Sequence, residues 1–341
     1  MPATQPRLKP NGMAAPWLTA TPAARHHSKA GQKALAWPDH YGGGSMAEQA
    51  RRRAMELDFW SGPVTAQPLP GGSNGHDFLV ADEAARYVVR IGDDHPEHAL
   101  FRYNEIAVSQ AAHEAGLSPA LLHHEPGALI FDYLADAGTM AGQALGQGAN
   151  MDRLMGLLGQ CHLDLPGHLE VPGPMFWVFH LNRRYARIIM QHGGRMAPSV
   201  ARLMALNDEL ETAIGPIQPV FCHNGLTAET ILNDGQRIWL VNWEFGGWND
   251  GLYDLASLAA NLELEARAAD EMLRRYRRLN DEEPDQASQR RFRAWKCAAL
   301  IWAALWGGVG EMFADRDFDY ATYSQRRLDM LERNLAEFRA T

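Results

Sequence analysis

Residues 220–256 read VFCHNGLTAETILNDGQRIWLVNWEFGGWNDGLYDLA, a β-rich island within a stretch otherwise patterned as helix. Asn233-Asp234-Gly235 is a hairpin turn signal, because these residues tolerate the positive φ that a tight reversal demands. The spacing on either side is helical. MDRLMGLLGQCHL (151–163) precedes the island, and RRLDMLERNLAEFRA (326–340) closes the chain with Leu328, Leu331, Leu335 and Phe338 three or four apart.

Further upstream the pattern changes. Between Val64 and Ile91, short β-like runs (Gln67 to Pro70, DFLV and RYVVRI) surround the cluster GGSNG, which predicts hairpins in a small sheet. Pro96 to Ala115 carries apolar residues near helical spacing, with Gly116 and Pro119 as the stop. ALIFDYL (128–134) is strand-like, and AGTMAGQALGQGAN (137–150) suits a connection between lobes. The predicted class is therefore α+β: a small N-terminal sheet lobe and a larger, mostly helical C-terminal lobe, the element order of a protein-kinase-like fold.

Composition sets the bounds. A chain of 341 residues with 46% hydrophobic and 21% charged residues, ten Trp and twelve Phe can bury a sizeable core and exceeds what one compact core usually organises. The formal charge of −9 argues against a general nucleic-acid binder. Cys161, Cys222 and Cys297 are widely spaced without a CxxC pair, which fits a reducing cytoplasm. The longest apolar run, Cys297 to Val309, is 13 residues against roughly 20 needed to span a bilayer, and predicts a buried helix. Residues 1–45, rich in Pro and Ala and lacking an acid before Asp39, read as a disordered tail.

The segment 220–256 resembles the catalytic segment of choline/ethanolamine kinases and aminoglycoside phosphotransferases, which runs His-Asn/Gly-Asp-Leu, three residues, Asn, a hairpin, Ile-Asp-Trp-Glu and Asp-Leu-Ala. PGGSN, YVVRI, the Asn-Glu of YNEIA, AGLSPALLH, LIFDYL and FDYATY support the resemblance across residues 64–340. It implies a nucleotide-binding lobe at 46–135 and a substrate lobe at 136–341. ATP would lie under Gly71, Gly72, Ser73 and Asn74, with Arg90 on its phosphates and Glu105 paired to Arg90. Trp295, Trp302, Trp306, Tyr320 and Tyr323 would supply aromatic faces for an amine or amino-alcohol. His223 and Asp254 would brace the catalytic loop.

This chain departs from the pattern where the chemistry lies. The family's catalytic Asp falls on Gly225, its metal-holding Asn on Thr230 and its main metal-binding Asp on Asn242. Mg²⁺ usually needs one or two carboxylates besides phosphate and water, and loss of a general base costs about 10²- to 10⁴-fold. The expectation is an impaired or inactive pseudokinase, binding nucleotide, a choline-like amine or a protein partner and making little use of Mg²⁺. The alternative is an active phosphotransferase on an amino-alcohol or aminoglycoside, its metal site rebuilt from Glu244, Glu229 or Asp250.

Overall fold

The computed structural model describes residues 45–69, 75–135, 137–140, 148–314 and 318–341. Residues 1–44 of the predicted tail 1–45, and Gly71, Gly72, Ser73 and Asn74, lie outside the described residues. Helix α1 (Met46–Met55) starts where the sequence turns helical, capped by Ser45, whose hydroxyl accepts the Glu48 N–H.

The small lobe is a five-stranded antiparallel sheet of β1 (Thr65–Pro68), β2 (His76–Ala81), β3 (Arg86–Ile91), β4 (Leu121–Glu125) and β5 (Ala128–Asp132), ordered β1-β2-β3-β5-β4. Its register sets Asp77 opposite Arg90, and Val89 opposite both Phe78 and Ile130. Phe78, Val80, Val89, Ile91 and Ile130 are buried. Between β3 and β4 runs α2 (Arg102–Glu114), preceded by a 3-10 turn at Pro96–His98, so the predicted helix begins six residues later than its apolar pattern. Val108, Ala111 and Ala112 of α2 belong to the core of the helical part. The Asn104 amide donates to Gly246 O at 3.0 Å, and a Cβ on Gly246 would sit 2.6 Å from Val108. A glycine there lets α2 seat directly on the loop at 243–247.

The connector contributes β6 (Gly138–Thr139), which pairs with β8 (Ile231–Asn233) and thereby adds a strand to the β8–β9 hairpin; β9 is Ile238–Leu240. At the hairpin tip Gly235 has φ 88, and Asp234 Oδ1 accepts the N–H groups of Gln236 and Arg237. Short β7 (Val220–Cys222) pairs with β10 (Gly247–Asn249).

The remaining described elements are helices: α3 (Gly148–Leu163), α4 (Val178–His192), α5 (Ala197–Ile214), α6 (Gly251–Asn261), α7 (Ala266–Arg277), α8 (Gln286–Phe313) and α9 (Tyr320–Arg339). Helix α8 is the central column, packed by α4, α5, α6 and α9. The apolar run 297–309 lies inside it and is buried, with Trp302 half-buried. Among the described residues no helix is long and apolar enough to cross a membrane.

Glycines bring α9 onto α8: a Cβ on Gly307 would collide with Ser324, and one on Gly310 with the Tyr320 ring. Glycine normally costs a helix interior up to about 1 kcal/mol against alanine, so Gly→Ala stabilises where space is open and destabilises where it is filled. Gly310→Ala should lower the melting temperature by the equivalent of about 1–3 kcal/mol. Gly156→Ala, on a face of α3 with nothing within 4 Å, should raise it slightly. Thermal melts of the two variants check the pair, and equal shifts would contradict this packing.

Candidate active site

The loop after β7 is held from below by one carboxylate. Asp254, fully buried in the first turn of α6, accepts the N–H of His223 at 2.8 Å and of Asn224 at 2.7 Å, and lies 3.1 Å from His162 Nε2 on α3. Asn224 takes the left-handed conformation (φ 62), which asparagine tolerates, and donates its amide to Phe245 O and Gly247 O. Burial pushes the His223 imidazole below the usual histidine range despite Asp254. The neutral ring donates from Nε2 to Val241 O at 3.0 Å and accepts the Gly225 N–H on Nδ1 at 3.3 Å. Both nitrogens are committed, so His223 is a brace and not a free base.

Gly225 follows with φ outside the left-handed region. A Cβ there would lie 3.3 Å from Phe245 Cδ2 and 3.7 Å from His223 Nδ1. The position can therefore accept a side chain with a small shift of the Phe245 ring. Thr230 is buried, and its hydroxyl donates to Thr227 O at 3.1 Å and accepts the Thr227 N–H at 2.9 Å, a local turn clasp.

Asn242 also has positive φ (68). β9 ends at Leu240 instead of continuing through Asn242 and Glu244, and the chain runs irregularly into a turn at 244–245 closed by the Gly246 N–H on Trp243 O at 2.9 Å. The turn still brings them together: the Asn242 amide lies 3.5 Å from Glu244 Oε1, and its Oδ1 accepts from Arg90 Nη1 at 2.5 Å. Arg90 also pairs with Glu105 at 2.5 Å, as expected, and forks onto Asp77 at 2.9 and 3.0 Å, which was not. Burial opposes the Arg90 charge, but Asp77 and Glu105 outweigh it and hold its pKa well above the ordinary value. Arg102 pairs with Glu105 and lies 3.8 Å from Glu244. Gly75 lies against both arginines, its Cβ position 3.4 Å from Arg90 and 3.5 Å from Arg102.

These groups fit Mg²⁺ poorly. Asn242 offers one neutral oxygen and Arg90 already holds it, the Thr230 hydroxyl is turned to its own turn, and no carboxylate stands at 225. Of the substitute acids, Asp250 caps α6 through Leu252 N, and its other oxygen takes Arg291 at 2.6 Å and Trp295 Nε1 at 3.1 Å. Glu229 is exposed. Glu244 is the acid that lies beside Asn242.

The five candidate aromatics divide. Trp295 is fully buried among Trp177, Phe179 and Tyr253 and bonded to Asp250, so it is core packing, a correction to its expected substrate role. Trp302 lies edge-on to Phe176 and Phe245, with ring centroids 5.9 and 5.4 Å away. Trp306, one turn on, gathers Tyr320, Tyr323, Phe318 and His98. Phe176, Phe245, Phe318 and His98 were not legible as members of this set. They come from separate elements, and only the aromatic composition of 176, 245 and 318 hinted at them.

With this geometry in view, the chain is placed in a family: residues 65–295 match the phosphotransferase enzyme family, and the chain belongs to it. Protein LicA of Haemophilus influenzae is 24% identical over 275 residues, covering 78% of this chain and 79% of LicA. A choline/ethanolamine kinase family protein from Mesorhizobium loti has the same fold, at TM-score 0.68 and 23% identity, over 87% of this chain and all of that one. So does a LicA solved in complex with AMP, at TM-score 0.66 and 18% identity, over 86% of this chain and all of that one. The chain is thus a member of the phosphotransferase enzyme family with a protein-kinase-like fold.

His98 supplies a pH test. It is buried between Trp306 and Tyr185, whose hydroxyl is 3.1 Å from its Nδ1, and near Glu97, His95 and Arg184. Burial pushes its pKa down from 6.5 to about 4. The unfolded chain binds the proton first on acidification, so stability from neutral His98 is present above about pH 6.5 and is lost as pH falls toward 4. His98→Gln should flatten the fall of melting temperature across that window. An unchanged slope would mean that His98 titrates alike in the folded and the unfolded chain.

Proposed function

We propose that this chain is a catalytically impaired member of the phosphotransferase family whose retained role is to bind a choline-like amine. The observation that carries the reading is a contrast within one continuous surface. Trp302 packs on Phe245, and Phe245 packs on Gly225, so the aromatic set reaches the position at which the family keeps its catalytic acid. The aromatics are present and the acid is not. A quaternary or primary ammonium seated on these rings would point its hydroxyl at a glycine, with nothing to orient it or take its proton.

Phosphoryl transfer depends on positioning and charge neutralisation more than on covalent help. Arg90 and Arg102 supply cations under Gly75, but Asn242 and Thr230 spend their polar atoms on protein partners. Glu244 supports a second reading, an active enzyme with a rebuilt site, because it lies 3.5 Å from the Asn242 amide. Its proximity to the Arg102 guanidinium weighs against that use.

Choline should bind to the wild type, and Trp302→Ala should weaken it about 30-fold, the loss of roughly 2 kcal/mol of desolvated cation–π contact. Trp302→Phe should retain most of the affinity. Calorimetry on variants with wild-type melting behaviour is the check, and equal affinities would return Trp302 to simple packing.

Restoration tests the impairment itself. Asn242→Asp alone should confer Mg²⁺-dependent ATP binding without turnover, and Gly225→Asp with Thr230→Asn and Asn242→Asp should raise ATP-dependent phosphorylation of choline or ethanolamine above wild type. Wild-type turnover on the order of 1 per second, usual for kinases, would overturn the reading.

A further inference from the structure

Arg90 is the cation expected to meet nucleotide phosphate, yet its hydrogen-bonding capacity is nearly spent inside the protein. Nε and Nη2 donate to the two oxygens of Asp77 at 2.9 and 3.0 Å, and Nη1 donates to Glu105 Oε1 and Asn242 Oδ1 at 2.5 Å each. A guanidinium has five N–H groups, and these contacts use four. The Asp77 pair matters most, because two parallel N–H···O bonds from one edge of the guanidinium are the arrangement by which arginine grips phosphate.

The pairing follows from the fold. Asp77 and Arg90 stand directly opposite each other in the β2–β3 ladder, so the strand register delivers the carboxylate to the guanidinium. The Asp77 and Arg90 side chains are only 13% and 10% exposed. Gly75, which precedes Asp77 by two residues, lies against the aliphatic stem of Arg90, its Cβ position 3.4 Å from Arg90 Cγ, and 3.5 Å from Arg102 Nη2. Around this point the carboxylates of Asp77, Glu105 and Glu244 face the guanidinia of Arg90 and Arg102, so negative charge is already in excess.

Resting on the family reading above, we propose that Asp77 is the residue that sets nucleotide affinity in this chain: its carboxylate occupies the edge of Arg90 that a nucleoside triphosphate would take. A phosphate approaching Arg90 meets a like charge at hydrogen-bonding distance and must displace it. In a poorly hydrated site that repulsion is weakly screened. Asp77 is thus a competitor in place, and the phosphate subsite is occupied by the protein's own side chain.

The test uses the full chain and two probes, ATP and inorganic tripolyphosphate, titrated by calorimetry without Mg²⁺. Asp77→Asn keeps the shape and one acceptor oxygen but removes the charge. It should bind both probes at least about tenfold more tightly than wild type, and adding Arg90→Ala to it should abolish the gain. Unchanged or weaker binding in a variant with wild-type circular dichroism and melting would overturn the proposal, as would a gain that survives Arg90→Ala. Should Asp77→Asn fail to fold, the wild type still decides. Its Arg90 Nε resonance in ¹⁵N spectra, assigned by its loss in Arg90→Lys, should stay unmoved by tripolyphosphate, and a shift on addition sinks the idea. Choline titrated against the same proteins separates the two readings. Absence of choline binding would count against the amine-binding role and leave the Asp77 comparison intact.

Discussion

The Asp254 carboxylate is the constraint on which the site depends. It is fully buried at the start of α6, and it gathers the backbone N–H groups of His223 and Asn224 together with the imidazole of His162. Three elements of different sequence origin therefore share one anion: the loop after β7, helix α6 and helix α3. A buried carboxylate left without such donors would cost several kcal/mol, so the loop cannot leave without a severe penalty. That coupling explains why the frame of the catalytic loop persists although Gly225 carries no side chain. The brace acts through main chain, and main chain is indifferent to the identity of residue 225.

A second polar cluster, centred on Arg90, joins the small sheet to the helical part. Arg90 on β3 reaches Glu105 on α2 and Asn242 beyond β9, and Arg102 adds a link between α2 and the vicinity of Glu244. In this chain the junction closes through side-chain amide and carboxylate contacts. Asn242, neutral and held at φ 68, serves Arg90 as an acceptor and faces Glu244 with its amide. With a neutral amide at 242 the junction is closed by protein contacts, Asn242 Oδ1 being held by Arg90.

Much of this architecture was legible in the chain itself. The short β-like runs at 77–80, 86–91 and 128–134 gave strands, and the three- and four-residue spacing of Leu331, Leu335 and Phe338 gave a buried helical face. Asn233-Asp234-Gly235 gave the hairpin turn. Each signal is local: turn chemistry and side-chain period act within a few residues, so they survive without tertiary context. Gly225, Thr230 and Asn242 were likewise plain in the chain, and the family resemblance turned them into the expectation of weak chemistry.

Tertiary structure decided what depends on partners distant in sequence. Trp295 and Trp302 lie on the same helix, eleven and four residues before Trp306, yet Trp295 is sealed against Asp250 and Phe179 while Trp302 meets Phe176 and Phe245. Asp250 read as a spare carboxylate and proved to be a helix cap bound to Arg291. Asp77 carried no signal at all, since an Asp in a short strand has no preferred role until the register sets a cation across from it. Sequence by itself determined the fold class, which is written in residue type and short spacing, and the family resemblance added the expectation that acids are missing at 225 and 242. Only the folded chain decided which tryptophan is sealed in the core and which carboxylate holds Arg90, because those depend on contacts between segments that sequence separation leaves unspecified.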